Sequence, residues 1–208
     1  MVSLPDDLHY LFRPASRSEI LSWSFGVIRY LRPNIGSEWI YTRNTLNDEA
    51  IFGPKESYHC VCGFFNNFER TSDYSDLLIC PTCGVKFTTS NARRERFGHI
   101  ELYTVAQHPL GNEGDVLDVI PVLPAMYWDT HVGMQLANSY EITLTSVEAK
   151  DQHRIQTSFE YILDNLIPQF VTAYRKSHPD VVAIAKGMAL VRKEGVGTRK
   201  ENKEKGTA

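Results

Sequence analysis

Residues 59–87 read HCVCGFFNNFERTSDYSDLLICPTCGVKF, and all four cysteines of the 208-residue chain lie inside them. They fall into two pairs, Cys60-x-Cys62 and Cys80-x-x-Cys83. Each pair can chelate one metal ion from a tight turn. Gly63 and Gly84 follow the pairs and permit backbone conformations that larger side chains resist. The 17 residues from Gly63 to Ile79 separate the pairs, a spacing that suits two knuckles of a zinc ribbon. Four thiolates at about 2.3 Å around Zn²⁺ close its coordination sphere, so the expected role is structural and not catalytic. The ion would supply folding energy that a loop this poor in apolar residues lacks. Metal-free thiols and a redox Cys-x-x-Cys are the competing readings; two chelate-spaced pairs argue against both. His59 is either a substitute ligand or a surface residue on the first knuckle.

Just beyond the second pair, "SNARRERFGHIEL" concentrates positive charge. Lys86, Arg93, Arg94 and Arg96 are the candidate contacts to a DNA or RNA backbone, and they would also offset the formal charge of −2 on a zinc tetrathiolate. The competing reading is a solvated charged face interrupted by Glu95. The net charge of −3 does not mark a nucleic-acid binder, so such a role needs a local basic face.

Outward from this window, residues 1 to about 15 read as irregular. "ASRSEILSWSFG" carries a capping box, Ser16-x-x-Glu19, and predicts a short helix ending near Gly26. Residues 32–56 hold Pro, Gly and Asn punctuation and read as loop with short extended pieces. "HIELYTVAQ" predicts a strand, "HPLGNEGD" a turn, and "VLDVIPVLP" a strand that Pro121 confines to an edge or an end. Ile155, Phe159, Ile162, Leu163 and Leu166 form a helical stripe, which Pro168 should kink or end. "DVVAIAKGMALVRK" suits a helix, although Val181 and Val182 also suit a strand. The polar tail "GTRKENKEKGTA" reads as disordered.

No apolar run of about 18 residues exists, so no membrane span is expected. The N-terminus lacks the basic and apolar regions of a signal peptide. A cytoplasmic protein with reduced cysteines is the expectation. No Ser/His/Asp or Cys/His set is legible, nor a phosphate-binding Gly-rich loop. Asp115 and Asp118 read as a surface turn, and Asp6-Asp7 as a solvated terminus.

In order along the chain, "ASRSEILSWSFGVI", "IFGPKESYHCVCG", "CPTCGVKFTTSNARRERFGHIEL" and "LDVIPVLP" resemble the N-terminal part of the largest, β′-type subunit of DNA-directed RNA polymerase. A weaker likeness continues through "HRIQTSFEYILDN". The resemblance implies that Cys60, Cys62, Cys80 and Cys83 are zinc ligands and that Arg93, Arg94, Arg96 and His99 lie in the motif following the ribbon. It also implies an α+β fold, a zinc ribbon joined to a mixed clamp-base domain with C-terminal helices. The segments would be an N-terminal clamp segment (1–56), the ribbon (57–90), clamp-base strands and helices (91–175) and a C-terminal helix with a tail (176–208). Partners would be the other polymerase subunits and the DNA or RNA backbone, at the nucleoid if the source is bacterial.

The chain also departs from that family. The inter-cysteine loop carries "TSDYS", and "NDEA" replaces a Gly-Leu-Phe-Cys step before "IFGP". The short "YTVAQHPLGNEGD" replaces a long clamp coiled coil that docks sigma in that family, so sigma binding is not expected. The family's catalytic run, Asn-Ala-Asp-Phe-Asp-Gly-Asp, is absent. The expected function is therefore a non-catalytic polymerase segment, with a clamp-mimicking regulator of polymerase as the alternative. An unrelated zinc-ribbon adaptor is a third and weaker reading.

Overall fold

The computed structural model describes residues 8, 10–29, 42–67, 78–108, 110–122, 167–168, 170–179 and 181–194. The stripe over 155–166, the "TSDYS" insertion, Asp6-Asp7 and the polar tail lie outside the described residues.

The capping box forms as its spacing predicts. Ser16 Oγ accepts from the Glu19 N–H at 3.3 Å, and Glu19 Oε2 accepts from the Ser16 N–H at 2.8 Å. Arg13 donates to both Glu19 oxygens, at 2.9 and 2.6 Å. These bonds, the Arg13 one foremost, lower the Glu19 pKa to about 2. The helix they start, α1, spans Arg17–Trp23 and ends before the expected limit near Gly26. The reason is tertiary. Ser24–Val27 leave the helix as strand β2 and pair parallel with Phe97–Gln107, strand β3. At Gly26 a Cβ would lie 2.9 Å from Ile51 Cγ1, so that approach requires glycine.

Strand β3 is the middle of a three-stranded sheet whose other edge is β4, Val116–Val122. Ile100 faces Ile120 and Gly98 faces Val122 across an antiparallel ladder with one register shift between Glu101 and Ala106. Pro121 sits opposite His99 on this edge strand, one residue from its end, where a missing N–H is tolerated. The expected turn closes the pair: the His108 N–H donates to the Asp115 carbonyl at 2.7 Å. Asp118 belongs to β4 and not to the turn, and its carboxylate pairs with Arg17 of α1.

The N-terminal stretch is not irregular throughout. Phe12–Pro14 form strand β1, placed before α1, and pair antiparallel with Leu190–Arg192, strand β5. Of "DVVAIAKGMALVRK", only Val181–Gly187 form a helix, α3; Leu190–Arg192 leave the expected helix as β5, because Phe12–Pro14 supply the hydrogen bonds of an antiparallel pair. Residues 167, 168 and 170–175 are helical, so Pro168 lies in a helical segment, while the stripe that it was expected to kink or end lies outside the described residues.

The main core gathers Leu8, Phe12, Ile20, Ile28, Phe52, Ile100, Ile120, Phe170 and Met188. Phe12 meets Phe170 edge-to-face with centroids 5.1 Å apart. Fully burying one such side chain contributes roughly 1.5–3 kcal/mol. A second, smaller cluster holds Cys60, Phe65, Cys80, Cys83, Val85 and Phe87. Between the two lies a short helix absent from the sequence expectation, α2, Glu49–Phe52. Asp48 caps it, accepting from the Ala50 N–H at 2.9 Å and from the Asn44 N–H at 2.7 Å. The fold is mixed α+β, with short helices set against small sheets.

Candidate metal centre

Each cysteine pair is shaped by a turn that ends on a glycine in the left-handed region. In the first, the Gly63 N–H donates to the Cys60 carbonyl at 2.9 Å, and Gly63 has φ 83°. In the second, the Gly84 N–H donates to the Cys80 carbonyl at 2.9 Å, and Gly84 has φ 73°. The second turn is tied at its base by Cys80 N–H to Val85 O at 2.9 Å and Phe87 N–H to Leu78 O at 2.8 Å. Tyr58, Phe65 and Phe87 pack beneath, with Phe87 centred 5.1 Å from Tyr58 and 4.9 Å from Phe65.

These turns bring the four sulfurs within 4.8 Å of one another. Cys60 Sγ lies 3.5 Å from Cys62 Sγ and 3.9 Å from Cys80 Sγ, and Cys62 Sγ lies 3.5 Å from Cys80 Sγ. A tetrahedral ion about 2.3 Å from each sulfur would space its ligands by about 3.8 Å. The spacings therefore fit a shared ion and are far too long for a disulfide, which needs about 2.05 Å. Backbone N–H groups point at two sulfurs, from Phe65 to Cys60 at 3.4 Å and from Cys83 to Cys80 at 3.5 Å. Burial pushes the Cys60 and Cys83 thiols up. Burial also opposes ionisation of Cys80, but N–H groups of Cys83 and Thr82 outweigh it and bring that thiol down to about 7. A cation among the sulfurs would favour the thiolate at every position.

Among the described residues the cluster is these four cysteines alone. His59 turns elsewhere: its Nδ1 is 3.0 Å from the Ser57 carbonyl, to which it can donate.

The basic candidates occupy different settings. Arg94 is exposed, and Lys86 is half-buried in the bridge opposite Ile79. Arg93 donates to the Gly53 carbonyl at 2.8 Å. Arg96 is 8% exposed, with its guanidinium 4.9 Å from the centre of the exposed Phe25 ring, and burial lowers its pKa. His99 Nδ1 is 2.6 Å from Ser24 Oγ, joining β3 to β2.

Two residues that the sequence reading passed over contact the cysteine turns directly. The Glu49 carboxylate accepts from the Val61 N–H at 2.8 Å and the Lys55 N–H at 3.2 Å. Arg43 Nη1 donates to the Cys83 carbonyl at 2.8 Å. The one available signal for Glu49 was the acidic "NDEA" preceding "IFGP".

The arrangement defines a class: four clustered sulfurs that could hold a metal ion, in a small hydrophobic cluster beside a mixed α+β core. Comparison with known proteins is specific beyond that. The chain is 36% identical over 121 residues to the β′ subunit of DNA-directed RNA polymerase from Lactobacillus delbrueckii subsp. bulgaricus, covering 51% of this chain and 9% of that subunit. The β′ subunit of Acholeplasma laidlawii is 38% identical over 106 residues, 48% of this chain and 7% of that subunit. That of a Nitratiruptor species is 37% identical over 113 residues, 50% of this chain and 7% of that subunit. The chain thus spans less than a tenth of the length of these curated relatives, and its likeness to them covers about half of it. No family model matches the chain. Among the described residues, no helix is long and apolar enough to cross a membrane.

Proposed function

We propose that the chain acts in DNA-directed transcription as a β′-type clamp and zinc-binding segment within a larger polymerase complex. The observation that carries this reading is a cage of four sulfurs within 4.8 Å in a chain 36–38% identical to curated β′ subunits over half its length. Cys60, Cys62, Cys80 and Cys83 hold Zn²⁺. The ion cross-links two turns and leaves no coordination site for substrate. Residues 57–90 act as the ribbon, flanked by clamp segments over 1–56 and 91–175 and a C-terminal helix with its tail over 176–208. Polymerase subunits that carry the catalytic aspartates supply the chemistry, in the cytoplasm and at the nucleoid.

Contact with the DNA or RNA backbone is electrostatic. Arg94 and Lys86 make it directly, while Arg93 and Arg96 shape the surface from within the fold. Such binding weakens steeply with salt. Co-purification of the tagged chain from its native lysate tests the reading. Polymerase subunits should accompany it, and a preparation without any of them contradicts the proposal.

A second reading, a clamp-mimicking regulator of polymerase, is favoured by one feature. A tight turn over 108–115 joins β3 and β4 where the resemblance leads one to expect a coiled coil. A regulator changes initiation or elongation when added to a complete transcription reaction; a structural segment leaves an already complete enzyme unaffected.

A further inference from the structure

The base of the fold grips the two cysteine turns with two side chains of opposite charge. Glu49, in α2, is 5% exposed. Its Oε2 accepts from the N–H of Val61, the residue between Cys60 and Cys62, and its Oε1 accepts from the N–H of Lys55. Both oxygens are thus engaged by backbone donors. Arg43 takes the other turn through the carbonyl of Cys83, and a Cβ on Gly84 would lie only 3.4 Å from its Nη1.

A buried carboxylate is costly unless hydrogen-bonded, and charge-assisted bonds to backbone N–H groups are about twice as strong as neutral ones. Glu49 is therefore stable in its place only while the Val61 N–H stays in register. That register is the one in which Cys60 and Cys62 converge. The link runs the other way as well. Glu49 begins the helix that carries Ile51 and Phe52 into the main core, and the N–H groups of those two residues donate to the Asp48 carbonyl at 3.2 and 2.9 Å. A zinc tetrathiolate is formally anionic, which explains Arg43 but not a second anion beside it. The two backbone donors explain Glu49.

We infer that Glu49 and Arg43 are positioning residues for the metal: they preset one cysteine turn each and transmit metal occupancy to α2 and the core. The inference rests on the zinc reading above. Its test follows release of zinc from the loaded full-length chain to a chromogenic chelator. Glu49→Gln keeps one acceptor but turns an amide donor toward a backbone donor, and release should be on the order of 10-fold faster. Arg43→Ala, at an exposed position, should also speed release, by a smaller factor. Ile51→Val trims the same helix without touching a turn and controls for general destabilisation. On zinc removal from the wild-type chain, the Ile51 and Phe52 amides should lose hydrogen-exchange protection.

A wild-type chain that binds no zinc defeats the zinc reading itself, before any variant is compared. If the wild type holds zinc, release at the wild-type rate from both Glu49→Gln and Arg43→Ala overturns the positioning role. So does release from Glu49→Gln no faster than from Ile51→Val. If Glu49→Gln does not fold, Arg43→Ala decides alone.

Discussion

Ser16, Glu19 and Arg13 show how much of one helix start is settled by single side chains. Ser16 and Glu19 satisfy each other's backbone N–H groups, and Arg13 holds the Glu19 carboxylate from outside. Removing the hydroxyl with Ser16→Ala should cost about 1 kcal/mol in chemical denaturation. The exposed Arg13–Glu19 pair adds little to that. This motif is legible in sequence because it is complete within four residues. His108 is the opposite case. It is buried, its Nε2 lies 3.2 Å from the Ala189 carbonyl, and its Nδ1 accepts from the Leu110 N–H at 3.1 Å. Its ring thereby joins the β3–β4 turn to the turn before β5, from 81 residues away, and no local pattern announces that. Burial lowers its pKa, against the bond to Ala189 and the charge of Asp115, which raise it. The folded state therefore favours the neutral ring. Its contribution to stability is present above the unfolded pKa of about 6.5 and is lost as pH falls below it. Denaturation midpoints measured from pH 7 to pH 5 should fall, and His108→Gln should flatten that slope. An unchanged slope removes His108 from the account.

At the scale of elements, sequence reasoning missed α2 and β2, as well as the paired strands β1 and β5. Four residues are too short to display a helical period, and "NTLNDEAIFGP" reads as punctuation until Asp48 is seen to cap Ala50. Strand β2 was read as the end of a helix because its partner, β3, lies about seventy residues further on and supplies the hydrogen bonds that override the local pattern. Strands β3 and β4 were legible because alternation, a turn and an edge proline occur consecutively. Gly53, where α2 ends, has φ 97°, and a Cβ there would meet Ala92 Cβ at 3.3 Å. Gly53→Ala combines backbone strain with crowding against the 3₁₀ turn Ser90–Arg94, and should destabilise by about 1–3 kcal/mol in urea titration. Wild-type stability in that variant would show that α2 does not need its tight exit.

Across the molecule as a whole, the two hydrophobic clusters of the described residues meet through polar ties. Glu49 reaches Val61 and Arg43 reaches Cys83. The small cluster has few apolar side chains of its own, so a bound ion is its natural source of stability. The convergence of the four cysteines was legible from their spacing, since two chelating pairs have few other uses. The ties were not legible, because a carboxylate that accepts from backbone N–H groups leaves no residue-type signature at the donor.

The most direct test is the zinc content of the full-length chain purified without added metal, measured by elemental mass spectrometry against protein concentration. The account predicts about one zinc per chain in the wild type and close to none in Cys80→Ser. A wild-type chain that is folded, monodisperse and free of zinc contradicts it.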